Sequence, residues 1–255
     1  MADTEKRLRI AAVADLHRDR TPDASFKSIF VAAEEQADVL LLCGDLTDYG
    51  LTEEAKLLAT ELGHAKIPIL AVLGNHDYEA GLEGEIANIL TDVGVKMLDG
   101  QAHEIQGIGF AGVKGFAGGF GRHTLEPWGE KIIKSFVQEG LDESLKLELA
   151  LSRLRTRSRV AVLHYAPIAA TVEGEPLEIY PFLGSSRMEE PLNRYQVTVV
   201  FHGHAHRGAL EGKTREGIPV YNVAYPLLRR SFPDQTPLKI IELPVPDPAE
   251  VAAAK

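Results

Sequence analysis

The first hundred residues alternate between short, unbroken apolar runs and segments whose apolar positions recur every three or four residues. Leu8 to Ala14 (LRIAAVA), Val39 to Cys43 (VLLLC) and Ile67 to Leu73 (IPILAVL) have strand length and apolar content. Ser25 to Gln36, Thr52 to Leu62 and Leu82 to Asp92 carry helical spacing, with Thr52 the expected cap of the second helix. Strands alternating with helices predict a parallel sheet assembled from βαβ units.

Past Lys96 the texture changes. His103 to Val113 (HEIQGIGFAGV) reads as a hairpin turning at Gly107. The Gly-rich stretch from Gly115 to Gly121 lacks the strand-to-helix setting of a phosphate loop and reads as a mobile surface loop, with a lid as the alternative. A long helix is expected from Glu130 to Arg155, then strands at Arg159 to Leu163 and Val197 to Phe201. Segments near Gly208 to Gly212, Ile218 to Val223 and Leu238 to Leu243 suggest an antiparallel meander. The connection from Glu173 to Arg187 is long for a compact domain, and such loops often border sites. Residues 1–245 read as one domain, followed by a loosely held tail over 246–255.

Chemistry enters at the strand ends. VLLLC runs into Gly44-Asp45, ILAVL into Gly74-Asn75, and the strand ending at His202 into Gly203-His204. Each is an apolar run, a glycine, and then a group able to bind metal. Glycine permits a sharp turn and lets the chain pass close to a neighbour. LRIAAVA delivers Asp15 and His17, and RVAVL delivers His164. In open α/β sheets the carboxyl ends of the strands form the usual ligand crevice. The assembled set is Asp15, His17, Asp45, Asn75, His76, His164, His204 and His206. Oxygen and imidazole donors without a thiolate suit Mn, Fe, Zn or Co, and so many donors exceed the needs of one ion. His202 occupies the slot that Cys43 and Leu73 fill on the other strands, so it is expected to pack rather than ligate.

Composition adds exclusions. A formal charge of −10 argues against general affinity for nucleic acid or anionic membrane, so an anionic substrate needs a local positive centre. No apolar run approaches the ~20 residues of a bilayer span. The first residues, MADTEKRLRIAAVADL, do not read as a signal peptide, and the single Cys43 leaves a reducing cytoplasm as the default location. His64, His103, Arg122 and His123 read as surface residues, although the last two could reach substrate.

The blocks Asp15-Leu16-His17, Gly44-Asp45, Gly74-Asn75-His76-Asp77, His164 and Gly203-His204-Ala205-His206 together resemble the calcineurin-like metallophosphoesterases in order and separation. The resemblance implies a four-layer α/β/β/α sandwich of two mixed sheets flanked by helices. It also implies two divalent transition-metal ions (manganese, iron or zinc). One would be held by Asp15, His17, Asp45 and His206, the other by Asp45, Asn75, His164 and His204. His76 would sit beside the substrate as stabiliser and general acid, with Asp77 orienting its ring. Two such ions with two carboxylates and a hydroxide leave roughly one positive charge, and coordination makes water acidic enough to attack phosphorus directly.

Protein Ser/Thr phosphatases of this superfamily carry an arginine where Tyr49 stands here, and end the next block in Glu rather than Asp77. The blocks look more like the bacterial phosphodiesterase branch that includes class III cyclic-nucleotide enzymes. Small phosphodiesters are therefore the expected substrates, with a phosphomonoesterase, a nucleotide pyrophosphohydrolase or a catalytically silent metal-binding scaffold as alternatives. Asp48 is expected either to support the site or to be a solvated turn residue. Arg187 is a candidate phosphate contact.

Overall fold

The computed structural model describes residues 6–21 and 25–246, so the proposed tail lies almost wholly outside the described residues. Strands β1 (Arg7–Val13), β2 (Val39–Cys43), β3 (Ile69–Val72) and β4 (Lys96–Met97) run parallel, linked by helices α1 (Lys27–Gln36), α2 (Thr52–Leu62) and α3 (Glu83–Asp92). A hairpin follows, β5 (Gln101–Ile105) and β6 (Ile108–Val113). Its two turn residues, Gln106 and Gly107, both take positive φ (51° and 78°), as a twisted two-residue turn requires. The chain continues through α4 (Lys131–Arg153), β7 (Ser158–Leu163), the short α5 (Tyr180–Leu183) and α6 (Glu189–Arg194), β8 (Val199–His202), β9 (Glu211–Lys213), β10 (Pro219–Asn222), α7 (Tyr225–Ser231) and β11 (Lys239–Pro244).

Two mixed sheets result, in the orders β11-β1-β2-β3-β4 and β5-β6-β7-β8-β10-β9. Side chains alternate between faces of a strand, and here both faces are apolar. Leu8, Ile10 and Ala12 of β1, Val39, Leu41 and Cys43 of β2, and Leu70 and Val72 of β3 meet Ile108, Phe110, Val160, Val162, Val199 and Phe201 of the facing sheet. The intervening positions point outward. Ala11, Leu40, Leu42 and Ala71 pack on Ile29, Phe30, Leu58, Leu62, Ile86 and Leu90 of α1, α2 and α3. On the other side Ala111, Val113, Ala161, Leu163 and Val200 pack on Leu147, Ala150 and Leu151 of α4 and Leu192 of α6. Unbroken apolar runs such as VLLLC are thus strands covered on both faces, and the molecule is an α/β/β/α sandwich. Among the described residues no helix is long and apolar enough to cross a membrane.

Three expectations are corrected. The meander does not form: β9 and β10 pair antiparallel, but β10 pairs parallel with β8, and β11 crosses to the other sheet to pair antiparallel with β1. With β8 and β9 occupying both edges of β10, β11 does not pair there and joins the other sheet at the edge of β1. Thr52 is the first residue of α2 rather than its cap. The terminus is instead held by the buried Glu54, whose Oε2 accepts from Tyr49 N (2.9 Å) and Leu51 N (3.3 Å). The Gly-rich stretch is not a surface loop. It is mostly buried, with Gly118 N donating to Pro181 O (2.7 Å) and Gly119 N to Gly184 O (2.9 Å), so the 173–187 connection lies against it.

Candidate metal centre

The carboxyl ends of β1, β2, β3, β7 and β8 deliver all eight expected donors to one place. Ligand-capable atoms of Asp15, His17 and His206 lie within 4.8 Å of one another, as do those of His17, Asp45 and His76, and those of Asp45, His164 and His204. Asn75 joins the last group, with its Oδ1 3.0 Å from His164 Nε2. Asp45, shared between two groups and 1% exposed, lies at the middle of the assembly.

The three strand-end glycines are what allow this approach. A Cβ on Gly44 would collide with the His164 ring, one on Gly74 with the Asp45 carboxylate and backbone nitrogen, and one on Gly203 with the Asp15 carboxylate. Several candidate ligands sit in strained backbone. Of six non-glycine residues with positive φ among the described residues, four are Asp15 (57°), His17 (45°), Asp45 (48°) and His204 (70°). Such conformations cost on the order of 1–3 kcal/mol each and persist where surrounding contacts enforce them.

Most imidazoles are aimed by a hydrogen bond on one nitrogen, leaving the other for the cluster. His164 Nδ1 donates to the Cys43 carbonyl (3.0 Å), His204 Nε2 donates to the Phe182 carbonyl (3.2 Å), and His17 Nδ1 meets Asp48 Oδ1 (3.2 Å). His206 Nε2 faces Asp15 Oδ1 at 3.0 Å. Backbone amides fix the carboxylates: His204 N donates to Asp15 (3.0 Å) and His76 N to Asp45 Oδ1 (2.8 Å).

These residues fit a bound metal cation. His17 Nε2 is buried without a hydrogen-bond partner and lies 3.7 Å from Asp45 Oδ2. With Nδ1 committed to donating, a neutral His164 points a bare nitrogen at two acceptor oxygens, Asn75 Oδ1 (3.0 Å) and Asp45 Oδ1 (3.4 Å). That arrangement demands a positive charge among them, from a proton or a metal ion. Without the ion the proton serves. Burial alone would lower the pKa of His164, but the Asp45 and Asp15 carboxylates outweigh it and raise the value to about 9. Asp45 is likewise moved by burial upward and by His164 and His17 downward, and ends well below the usual carboxylate range. His204 goes the other way, lowered to about 4 by burial and the neighbouring His164, which favours the neutral ring a metal needs.

His202, the remaining histidine of the C-terminal block, is fully buried and differently employed. Its Nδ1 donates to the Gly203 carbonyl (2.7 Å), so its Nε2 is left to accept the Thr171 hydroxyl (2.8 Å). Neither nitrogen is free.

The part expected of Asp77 is not the one its contacts describe. Its carboxylate accepts from Leu46 N (3.2 Å), Thr47 N (2.8 Å), Thr47 Oγ1 (2.6 Å) and Gly74 N (2.8 Å), binding the loop after β2 to the loop after β3. Burial, reinforced by Asp45, raises its pKa to about 6. The His76 ring is oriented instead by the backbone carbonyl of Asp48, 2.6 Å from its Nδ1. Asp48 therefore serves both His17 and His76, by side chain and by backbone. Arg187 turns its guanidinium to Leu125 O and Glu126 Oε1 (3.4 Å), and the exposed Arg122 and His123 contact each other (3.2 Å). His64 and His103 are exposed. Sequence reasoning missed the carbonyls of Cys43 and Phe182, whose contribution does not depend on side-chain identity. It also missed Arg230, which reaches the His206 carbonyl (3.2 Å) from α7 without any motif to flag it.

Comparison with known proteins bears on the fold and the family. The fold is similar to the crystal structure of phosphopantetheinyl hydrolase (PptH) from Mycobacterium tuberculosis, with a TM-score of 0.66 and 16% identity over 94% of this chain and 96% of that one. It is also similar to TT1561 of Thermus thermophilus, with a TM-score of 0.53 and 14% identity over 94% and 100% of the two chains. No protein with a curated description matches the chain. The model of the calcineurin-like phosphoesterases matches residues 8–208, the span that holds every candidate ligand, and the chain belongs to that family.

Proposed function

We propose that this protein hydrolyses small phosphodiesters at a dinuclear metal centre. The observation that carries the reading is the convergence of three overlapping ligand groups on Asp45 and His17, one of whose nitrogens is buried and unpartnered. When bound, two divalent transition-metal ions (manganese, iron or zinc) would neutralise the phosphate oxygens and acidify water. The chain supplies the rest. Asp15, His17, Asp45 and His206 would hold one ion, and Asp45, Asn75, His164 and His204 the other. His76 has Nδ1 tied to the Asp48 carbonyl, which leaves Nε2 to hold a proton for the departing alkoxide.

Charge favours a diester. Two ions less two carboxylates and a hydroxide leave about one positive charge, matching the monoanion of a diester better than the dianion of a monoester. Tyr49 stands where the protein phosphatases carry an arginine, and Arg187 is engaged with Leu125 and Glu126. Three expectations complete the reading: a small-molecule substrate, a cytoplasmic setting, and one domain spanning residues 1–245.

The test is turnover of bis-p-nitrophenyl phosphate against p-nitrophenyl phosphate by the Mn-loaded protein, with metal content measured on the same sample. The diester should be preferred. No turnover of either compound with both ions bound would leave a silent scaffold. His76→Ala should keep both ions and lose roughly a hundredfold or more in kcat. Loss of metal with unchanged turnover per loaded site would make His76 a ligand instead.

A further inference from the structure

The geometry points to Phe182 as the residue that selects the ester substituent: an aromatic shelf beside the metal centre takes a planar aromatic group carried on the phosphate. This rests on the phosphoesterase reading and deepens it. Phe182 lies in the short helix α5 and is 57% exposed. Its backbone carbonyl accepts a hydrogen bond from His204, so the residue itself stands against a candidate ligand (3.2 Å). Its ring meets Phe136 of α4 edge-on (centroids 6.4 Å apart, planes at 79°). Phe136 tilts onto Phe116 of the Gly-rich segment (4.9 Å), Phe116 lies beside Tyr165 (5.9 Å), and the Tyr165 ring is 4.5 Å from that of His204.

The chain of rings therefore begins and ends on His204, which ties the shelf to the centre at both ends. It is also braced from behind. The buried Lys114 ammonium sits over Phe116 (4.9 Å) and Tyr165 (5.5 Å), where a cation is attracted to the ring faces. Phe116 and Phe136 are partly buried, so Phe182 is the member that keeps a large surface in water. Its contact with Phe136 is T-shaped and more than half of the residue is exposed, which leaves room for an incoming ring, and ring pairs prefer offset or edge-on contacts. On α4 the apolar surface continues one turn from Phe136 to Ile132, which is 73% exposed.

The experiment compares binding of phenylphosphonate and methylphosphonate to the Mn-loaded protein by calorimetry. The two probes share the phosphonate that the centre would hold and differ in the substituent. The wild-type protein should bind phenylphosphonate more tightly by roughly three- to tenfold. Phe182→Ala, which keeps the backbone carbonyl that aims His204, should bring the ratio near one, and Phe182→Tyr should retain it. A wild-type ratio of one, or a ratio that survives Phe182→Ala, overturns the assignment while leaving the phosphoesterase reading intact. If neither phosphonate binds while metal stays bound, this inference fails, and turnover of bis-p-nitrophenyl phosphate on the same sample decides whether the phosphoesterase reading fails with it.

Discussion

Replacing Asp77 by asparagine separates two roles for this residue: orienting His76 or binding two loops together. The side chains have almost the same shape, so packing is unchanged, but asparagine offers one acceptor oxygen and an amide that only donates. In the wild-type protein Oδ1 serves Thr47 N and Thr47 Oγ1, while Oδ2 serves Gly74 N and Leu46 N. If the asparagine oxygen stays on Thr47, the Gly74 and Leu46 amides face a donor; if the side chain flips, the Thr47 amide does. A buried amide left unsatisfied costs about 1–3 kcal/mol, so with one strong and one long bond lost the total is about 3 kcal/mol. In a chain of this size that corresponds to a fall in Tm of about 6–12 °C. The assay is thermal unfolding at pH 8, above the value near 6 to which burial and Asp45 raise this carboxyl, so that the wild-type side chain is ionised. Metal affinity should fall too, because the two loops carry Asp45 and Asn75. A variant that melts with the wild type, holds its ions as tightly and loses only kcat would refute the clasp and restore the orienting role.

Other outcomes follow from the same contacts. Gly74→Ala places a methyl group into the Asp45 carboxylate and backbone. Calorimetry should show metal affinity reduced at least tenfold with a lower Tm, and normal affinity would mean the loop has room that the geometry denies. His202→Phe should leave metal content unchanged while costing about 1–3 kcal/mol in urea unfolding, since the Gly203 carbonyl and Thr171 hydroxyl lose their buried partner; loss of an ion would make His202 a ligand. Asp38 accepts from Arg9 N (2.9 Å), Nε (3.2 Å) and Nη2 (2.8 Å), and this pairing with Arg9 lowers its pKa. A carboxyl depressed by folding stabilises above its ordinary value, about 4, and the contribution fades as pH falls through the folded value. Asp38→Asn should therefore lower Tm at pH 7 and match the wild type in strong acid, and a difference that persists there would assign the effect to packing.

The sequence is most legible where one residue type answers one physical need. Strands such as VLLLC, apolar at every position, declare themselves covered on both faces, and helices with periodic apolar positions declare one buried side. The strand-end glycines are readable for the same reason, because a glycine before a polar residue at the end of an apolar run has few explanations other than close approach. His202 is readable by analogy, since the equivalent slots hold Cys43 and Leu73. What stays hidden depends on partners rather than on residue types. β11 carries a strand pattern that would suit either sheet, and its place is set by pairing with β1 at the far end of the chain. Asp77 lies next to His76 in the chain but points to amides some thirty residues earlier. The Gly-rich segment has the composition of a solvated loop, and only the main-chain bonds to 181 and 184 reveal it as buried packing.

The centre also shows why local preference fails where chemistry is concentrated. Asp15, His17, Asp45 and His204 take a backbone conformation that their side chains disfavour, immediately after strands whose own preferences are fully satisfied. Their positions are enforced from both directions: apolar strands hold the chain before them, and amides or carbonyls hold their side chains beyond, as His204 N holds Asp15 and the Cys43 carbonyl holds His164. The assembly gathers carboxylates and imidazoles whose acceptor atoms face one another, an arrangement that repels itself unless a positive charge lies between. Folding energy from the two covered sheets keeps those groups in place, and a proton on His164 is the minimum that relieves them. Bound metal would relieve them further. The strain and the unpartnered His17 nitrogen are then two consequences of one requirement, that metal donors be in position before metal binds.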